Sequence, residues 1–183
     1  MHKNLLAALV VAGAGLSLNA QAAQTGQIQI TGKVVDTTCS VDAGSSNVQV
    51  TLPNVDKSLL QNPGSNTGIT PFSVKVSGCT AGTPGAGTDV VSMAFVPDAN
   101  VDMNGNLVNT GGASAVAVQL LDKNQQPINI HNDSYSAQVA RGESTGASGG
   151  NVNLNYFARY FSAAGSATAG TVAAQANFEL VYQ

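Results

Sequence analysis

Few side chains in this sequence are suited to chemistry. The 183-residue chain has two cysteines, Cys39 and Cys79, and two histidines, His2 and His131. A structural zinc site needs four Cys or His ligands, and His2 falls in an apolar leader, so the set is incomplete. No His-Glu-x-x-His or phosphate-loop pattern occurs. The stretch Asn100-Val101-Asp102-Met103-Asn104-Gly105 opens like a calcium loop, but its twelfth position is Gly111, where a bidentate glutamate is required. It is read as a turn. Arg159 within an apolar run is expected in a structural salt bridge or at a sheet edge, and His131 in a solvated loop. No catalytic, cofactor-binding or metal-ligating residue is assigned, and no small-molecule substrate is expected.

The cysteines gain meaning from the beginning of the chain. Lys3 is followed by an uncharged stretch rich in Leu, Val and Ala over residues 5–18, and then by Ala20-Gln21-Ala22. That pattern predicts a secretory signal over residues 1–22, whose apolar stretch is too short to span a bilayer, which needs about 20 apolar residues. Export carries Cys39 and Cys79 into an oxidising compartment, where one disulfide is expected.

Of the 183 residues, 161 remain after a 22-residue leader, enough for one domain with a sizeable core. The chain carries seven Lys/Arg against ten Asp/Glu, and losing Lys3 makes the balance more negative still. With no basic cluster to neutralise a run of phosphates, nucleic acid is not an expected partner. Only 9% of residues are charged, against about 25% in ordinary globular chains. So bland a surface suits a protein packed against copies of itself.

Alternation of apolar and polar residues predicts strands over 27–36, 47–52, 72–77, 90–95, 115–121, 152–161 and 172–182. Between them lie Asn62-Pro63-Gly64, Thr83-Pro84-Gly85, Asn104-Gly105-Asn106 and Gly149-Gly150, all turn-forming. Only residues 55–61 are read as able to form a helical turn, and the glycine-rich piece 142–150 as a loop. Short strands at this spacing predict an all-β, immunoglobulin-like sandwich. The last strand is the most regular, with Val172, Ala174, Ala176, Phe178, Leu180 and Tyr182 on one face, and it ends at Gln183. Near the other end, Gln24, Gly26, Ile28, Ile30 and Gly32 also fall on one face. Periodicity leaves open whether this segment opens its own sheet or joins another chain's.

Several pieces resemble the major subunits of type 1 fimbriae, members of the chaperone–usher pilins. They are Gly32-Lys33-Val34-Val35 leading into Cys39-Ser40-Val41-Asp42-Ala43-Gly44, residues 74–79, VAVQLLD over 116–122, YFARYF over 156–161 and NFELVYQ over 177–183. Most specific is the chain end: a glycine fourteenth from the end and a penultimate tyrosine, here Gly170 and Tyr182.

The resemblance implies an incomplete immunoglobulin-like sandwich that lacks its last strand and is completed by a donor strand from a neighbouring subunit. Residues 23–31 would be the donor extension and 32–183 the pilin domain. Gln24, Gly26, Ile28, Ile30 and Gly32 would enter successive pockets, with Gly26 leaving one underfilled. The piece before Gly26 is shorter than in type 1 subunits. Gly170, Phe178, Leu180, Tyr182 and Gln183 would form the groove and its chaperone-binding end. Implied partners are copies of the chain, a periplasmic chaperone and an outer-membrane usher. The implied location is the cell surface, after passage through the periplasm, and the implied role is a fimbrial subunit supporting adhesion and biofilm formation. Two alternatives stay open: a minor or adaptor pilin of the same system, and a self-contained periplasmic β-sandwich binding protein. A tip adhesin is disfavoured because 161 residues leave no room for an added lectin domain.

Overall fold

The computed structural model describes residues 27–32, 39–81, 90–146 and 148–183. The chain divides into two units, Met1–Lys33 and Val34–Gln183. In the first, residues 27–32 form neither helix nor strand and are exposed, Ile28 at 87% and Ile30 at 90%. The strand expected over 27–36 is therefore not formed in its described part. Alternation fixes which side chains share a face, but it supplies no partner strand. The signal segment, Gln24, Gly26, residues 33–36 and the turn at Thr83-Pro84-Gly85 lie outside the described residues.

The second unit is built from antiparallel strands: β1 (Ser40–Val41), β2 (Ser65–Cys79), β3 (Val90–Phe95), β4 (Ala117–Leu121), β5 (Glu143–Ser144), β6 (Gly150–Ser162) and β7 (Phe178–Tyr182). They form two sheets in the orders β1-β2-β6-β4 and β5-β3-β7. One short helix, α1 (Tyr135–Ala140), precedes β5. The core lies between the sheets, where Val74 and Val76 of β2 and Val152, Leu154, Tyr156 and Ala158 of β6 meet Val91, Met93 and Phe95 of β3. Tyr156, 1% exposed, is its centre: Phe95 meets its ring edge-on at 5.5 Å, Phe72 stacks at 6.0 Å, and its hydroxyl accepts the Met93 N–H at 3.3 Å.

Strands β3, β4 and β6 lie close to the positions that alternation predicts. The second strand does not: it begins at Ser65 rather than residue 72. Its alternation is hidden by two register shifts, one beside Gly68 and one beside Gly78, both at positive φ. Pro71 also sits within it. Because β1 pairs only with Val76 and Ser77, one edge of β2 at Pro71 needs no N–H donor. Among the described residues Arg159 makes no ion pair, contrary to one expectation. Its Nε and Nη2 donate to Gln119 Oε1 at 3.0 and 2.6 Å, and Gln119 Nε2 donates to Asn106 Oδ1 at 3.0 Å.

The helical turn expected within 55–61 forms as a 3-10 turn at Lys57–Leu60, but α1 was not foreseen. Its sequence signal is a cap: the Ala137 N–H donates to Ser134 Oγ at 3.3 Å. The piece 142–150 is not all loop, since Val90 and Val91 pair with Ser144 and Glu143 of β5. Asn100–Gly105 is a turn, in which Asp102 Oδ1 accepts the N–H groups of Asn104 and Asn106 at 2.8 and 2.9 Å.

A disulfide joins Cys39, immediately before β1, to Cys79 at the end of β2, across a separation of 40 residues. Closing a loop of that length removes about 4 kcal/mol of chain entropy from the unfolded state. Replacing both cysteines by serine is expected to lower the unfolding free energy by about that amount, read as a lower urea midpoint with a steeper slope, because the uncross-linked unfolded chain exposes more surface.

Candidate functional site

The outer edge of β7 is the feature on which the molecule turns. Gln183 donates its N–H to Val90 O at 3.0 Å, and Val96 donates to Asn177 O at 2.8 Å. These bonds bracket the register from Val91↔Tyr182 to Phe95↔Phe178. In an antiparallel ladder alternate residues exchange both bonds with the residue opposite. Asn177, Glu179, Val181 and Gln183 therefore turn their backbone polar groups toward β3. Those of Phe178, Leu180 and Tyr182 point the other way, to an edge where no described strand lies. The same three residues carry apolar side chains that pack against the core yet stay only half-buried.

A second segment faces the same gap. Residues 47–52 keep the alternation the sequence predicts, with Val48, Val50 and Leu52 half-buried against the core and Asn47, Gln49 and Thr51 exposed. They form no ladder with any described residue. At one end, Tyr182 Oη donates to Cys39 O at 3.3 Å. At the other, Asn54, Val55, Asp56 and Lys57 share a cavity of about 500 Å³ with Gly170 and Val172. Cys39 lies beside Tyr182, and residues 54–57 lie beside 170–172, so the two segments run antiparallel as the walls of a groove. At about 3.3 Å per residue, a wall from 172 to 182 is roughly 33 Å long. A single added strand of nine or ten residues spans it.

The structure brings Phe178, Leu180 and Tyr182 together on one wall and places Gly170 at its far end. Gln183 contributes its N–H to β3. Only Phe178–Tyr182 forms a ladder, so the strand expected over 172–182 is half the predicted length. Ahead of it, Ala113 N donates to Thr171 O at 3.0 Å and Thr110 N to Ala173 O at 2.8 Å, an irregular pairing that leaves Ala174 exposed rather than inward. Gly170 is required by that pairing: a Cβ there would lie 2.4 Å from Ala113 N and 2.6 Å from Gly112 C. In the other unit Gly32 is exposed like Ile28 and Ile30, and a Cβ on it would meet nothing within 4 Å.

Two side chains unassigned from the sequence reach β7. Asp98 accepts the Asn100 N–H at 2.8 Å and the Asn177 Nδ2 amide at 2.7 Å, fixing the start of the strand. Those two bonds, the Asn100 backbone first, hold its carboxyl below the ordinary 3.8. Tyr135, at the start of α1, donates its hydroxyl to the Tyr182 carbonyl on the open edge. The sequence signal for Asp98 was an Asx turn; Tyr135 had none.

Gly170→Ala is expected to destabilise the chain by about 2 kcal/mol or more, because backbone rather than a movable side-chain tip meets the new Cβ. A thermal midpoint unchanged from the parent chain would contradict this. For Asp98, a carboxyl held low in the folded state stabilises the fold above its ordinary 3.8 and loses that contribution as the pH falls through the lowered folded value. The difference in unfolding midpoint between the parent chain and Asp98→Ala is expected to be full near neutral pH and to shrink progressively below 3.8.

The sequence and the fold have known relatives. A family model described as fimbrial protein matches residues 28–183. The chain is 39% identical to the F17 fimbrial protein of Escherichia coli, over 93% of this chain and 94% of that one. It is 34% identical to the major fimbrial subunit SMF-1 of Stenotrophomonas maltophilia (strain K279a), over 94% and 99%. The crystal structure of the P pilus rod subunit PapA superposes with a TM-score of 0.58 at 23% identity, covering 79% of this chain and 99% of that one. At that identity the superposition speaks for the fold, the immunoglobulin-like sandwich short of one strand. With the matched residues extending from Ile28 through the chain end, the protein belongs to the fimbrial protein family.

Proposed function

We propose that this chain is a structural pilin whose groove is filled by the N-terminal extension of the next copy, giving a surface fimbria that supports adhesion and biofilm formation. One observation carries this reading. Phe178, Leu180 and Tyr182 offer a backbone edge that no described strand pairs and a half-buried apolar face at the same positions. A donor strand satisfies both at once, through main-chain hydrogen bonds and through side chains of one face, as in other β-strand additions.

The extension is suited to the part. Ile28 and Ile30 lie two residues apart, so in an extended strand they share a face, and both are almost fully exposed. Burying each gains roughly 1.5–3 kcal/mol. Residues 1–22 act as the signal and 23–31 as the donor, with Gln24, Gly26, Ile28, Ile30 and Gly32 directed into the groove. A periplasmic chaperone occupies the groove before assembly, bound at the end that holds Gln183, and an outer-membrane usher passes the subunit on. Each copy carries both a donor and a groove, so the contact is head-to-tail and does not close on itself; it grows a filament.

The test is thermal unfolding of a chain lacking residues 23–31, with the disulfide intact, alone and with a peptide of those residues. The midpoint is expected to rise by tens of degrees with the peptide. An already stable truncated chain that ignores the peptide would mean that the sandwich is complete by itself, and the donor-strand reading would fail.

A further inference from the structure

We propose that Tyr135 is a removable cap on the donor edge, competing with the incoming strand for the carbonyl of Tyr182. The inference rests on the donor-strand reading and adds to it a residue that tunes how tightly the strand is held.

The ladder phase places the Tyr182 carbonyl on the outer edge of β7, in line with those of Phe178 and Leu180. It is the last acceptor that a strand laid along that edge would use. The hydroxyl of Tyr135 already donates to it. Among the described residues, Phe178 and Leu180 have no such partner.

The helix that carries Tyr135 is firmly tied. Ser134 caps its first turn, Arg141 at its end pairs with Asp133 before its start, and Gln138 Nε2 donates to Asp133 O at 2.9 Å. Asp133 and Arg141 side chains are only 2% and 10% exposed. Tyr135 itself is 58% exposed, so little but its hydroxyl holds the ring where it stands. A rigid mount with a lightly held arm suits a contact that opens without disturbing the fold. Tyr182 is engaged on its other side too, its own hydroxyl donating to Cys39 O at 3.3 Å. The chain-terminal end of the groove is thus occupied by two tyrosine hydroxyls. Displacing the first frees an acceptor for the donor strand.

The experiment measures capture of a fluorescent peptide of residues 23–32 by the full chain, the Tyr135→Phe variant and the Tyr135→Leu variant. Without the competing hydroxyl, half-saturation is expected at a concentration roughly two- to ten-fold lower in both variants, the factor that one exposed hydrogen bond carries. Thermal midpoints are read alongside: a merely structural Tyr135 would lower the midpoint and leave capture unimproved, which overturns the cap. A peptide with Ile28→Asp and Ile30→Asp separates the two ideas. If the parent chain rejects it while both Tyr135 variants bind the native peptide no better than the parent, the cap alone is wrong. If the parent chain binds both peptides equally, the donor-strand reading falls and the cap with it.

Discussion

Half of the backbone hydrogen-bonding capacity of β7 is directed into β3, and the other half, at Phe178, Leu180 and Tyr182, faces a gap. A β-sheet edge in that state is a template for any extended chain, and natural proteins usually blunt such edges with charge, proline or a covering element. Here none of those devices stands at Phe178 or Leu180. The apolar faces of both groove walls stay half in water. Burial gains roughly 25 cal/mol per Å², so a strand-length groove left open withholds several kcal/mol from a total that is commonly about 5–15. The rest of the molecule is arranged around that deficit.

The wall opposite β7 shows how. After Val41 it has no ladder with described residues until β2, and it is placed by side chains and cross-links instead. The Cys39–Cys79 disulfide fixes its beginning to the end of β2, the two pairs of β1 set its register, and Val48, Val50 and Leu52 rest on the core. On the other side, Asp98 and Asn177 secure the start of β7, and the Gln183 N–H secures its end. Gly170 allows the segment before β7 to approach residues 112–113 closely. Both walls are therefore held ready without the strand between them, and little ordering remains to be done when one arrives. Several polar side chains elsewhere are satisfied locally: Arg159, Gln119 and Asn106 form a chain of side-chain bonds, and Asp102 and Asp122 each accept two backbone N–H groups in turns. A chain with only 9% charged residues keeps its surface quiet and its reactive feature in the backbone.

Much of this was legible from residue order. The strands at 90–95 and 152–161 and the core side of 47–52 follow from alternation, because a period of two places every second side chain on the buried face regardless of neighbours. Where a glycine bulge resets that period, as at Gly68 and Gly78, the same rule fails and the strand is read too short. The helix at Tyr135–Ala140 escaped because six residues make too few turns for an apolar stripe to stand out, leaving only the Ser134 cap as a mark. Ala174 was misassigned for a related reason. Pairing with 109–113 through side chains and single backbone bonds breaks the regular alternation of facing directions.

The sequence by itself determined the class of fold, the pairing of the two cysteines and the apolar face of the chain end. These depend on residue type and local spacing, which the order of amino acids states directly. Tertiary structure alone decided that the edge of β7 is the unpaired one, that residues 47–52 form the facing wall, that Gly170 is needed for a close backbone approach and that Tyr135 reaches the last carbonyl of the edge. The contacts among them join distant parts of the chain, 47 residues apart from Tyr135 to Tyr182 and 57 from Ala113 to Gly170. No periodicity reports such distances. They are set by how two sheets stack, and stacking is a property of the whole core.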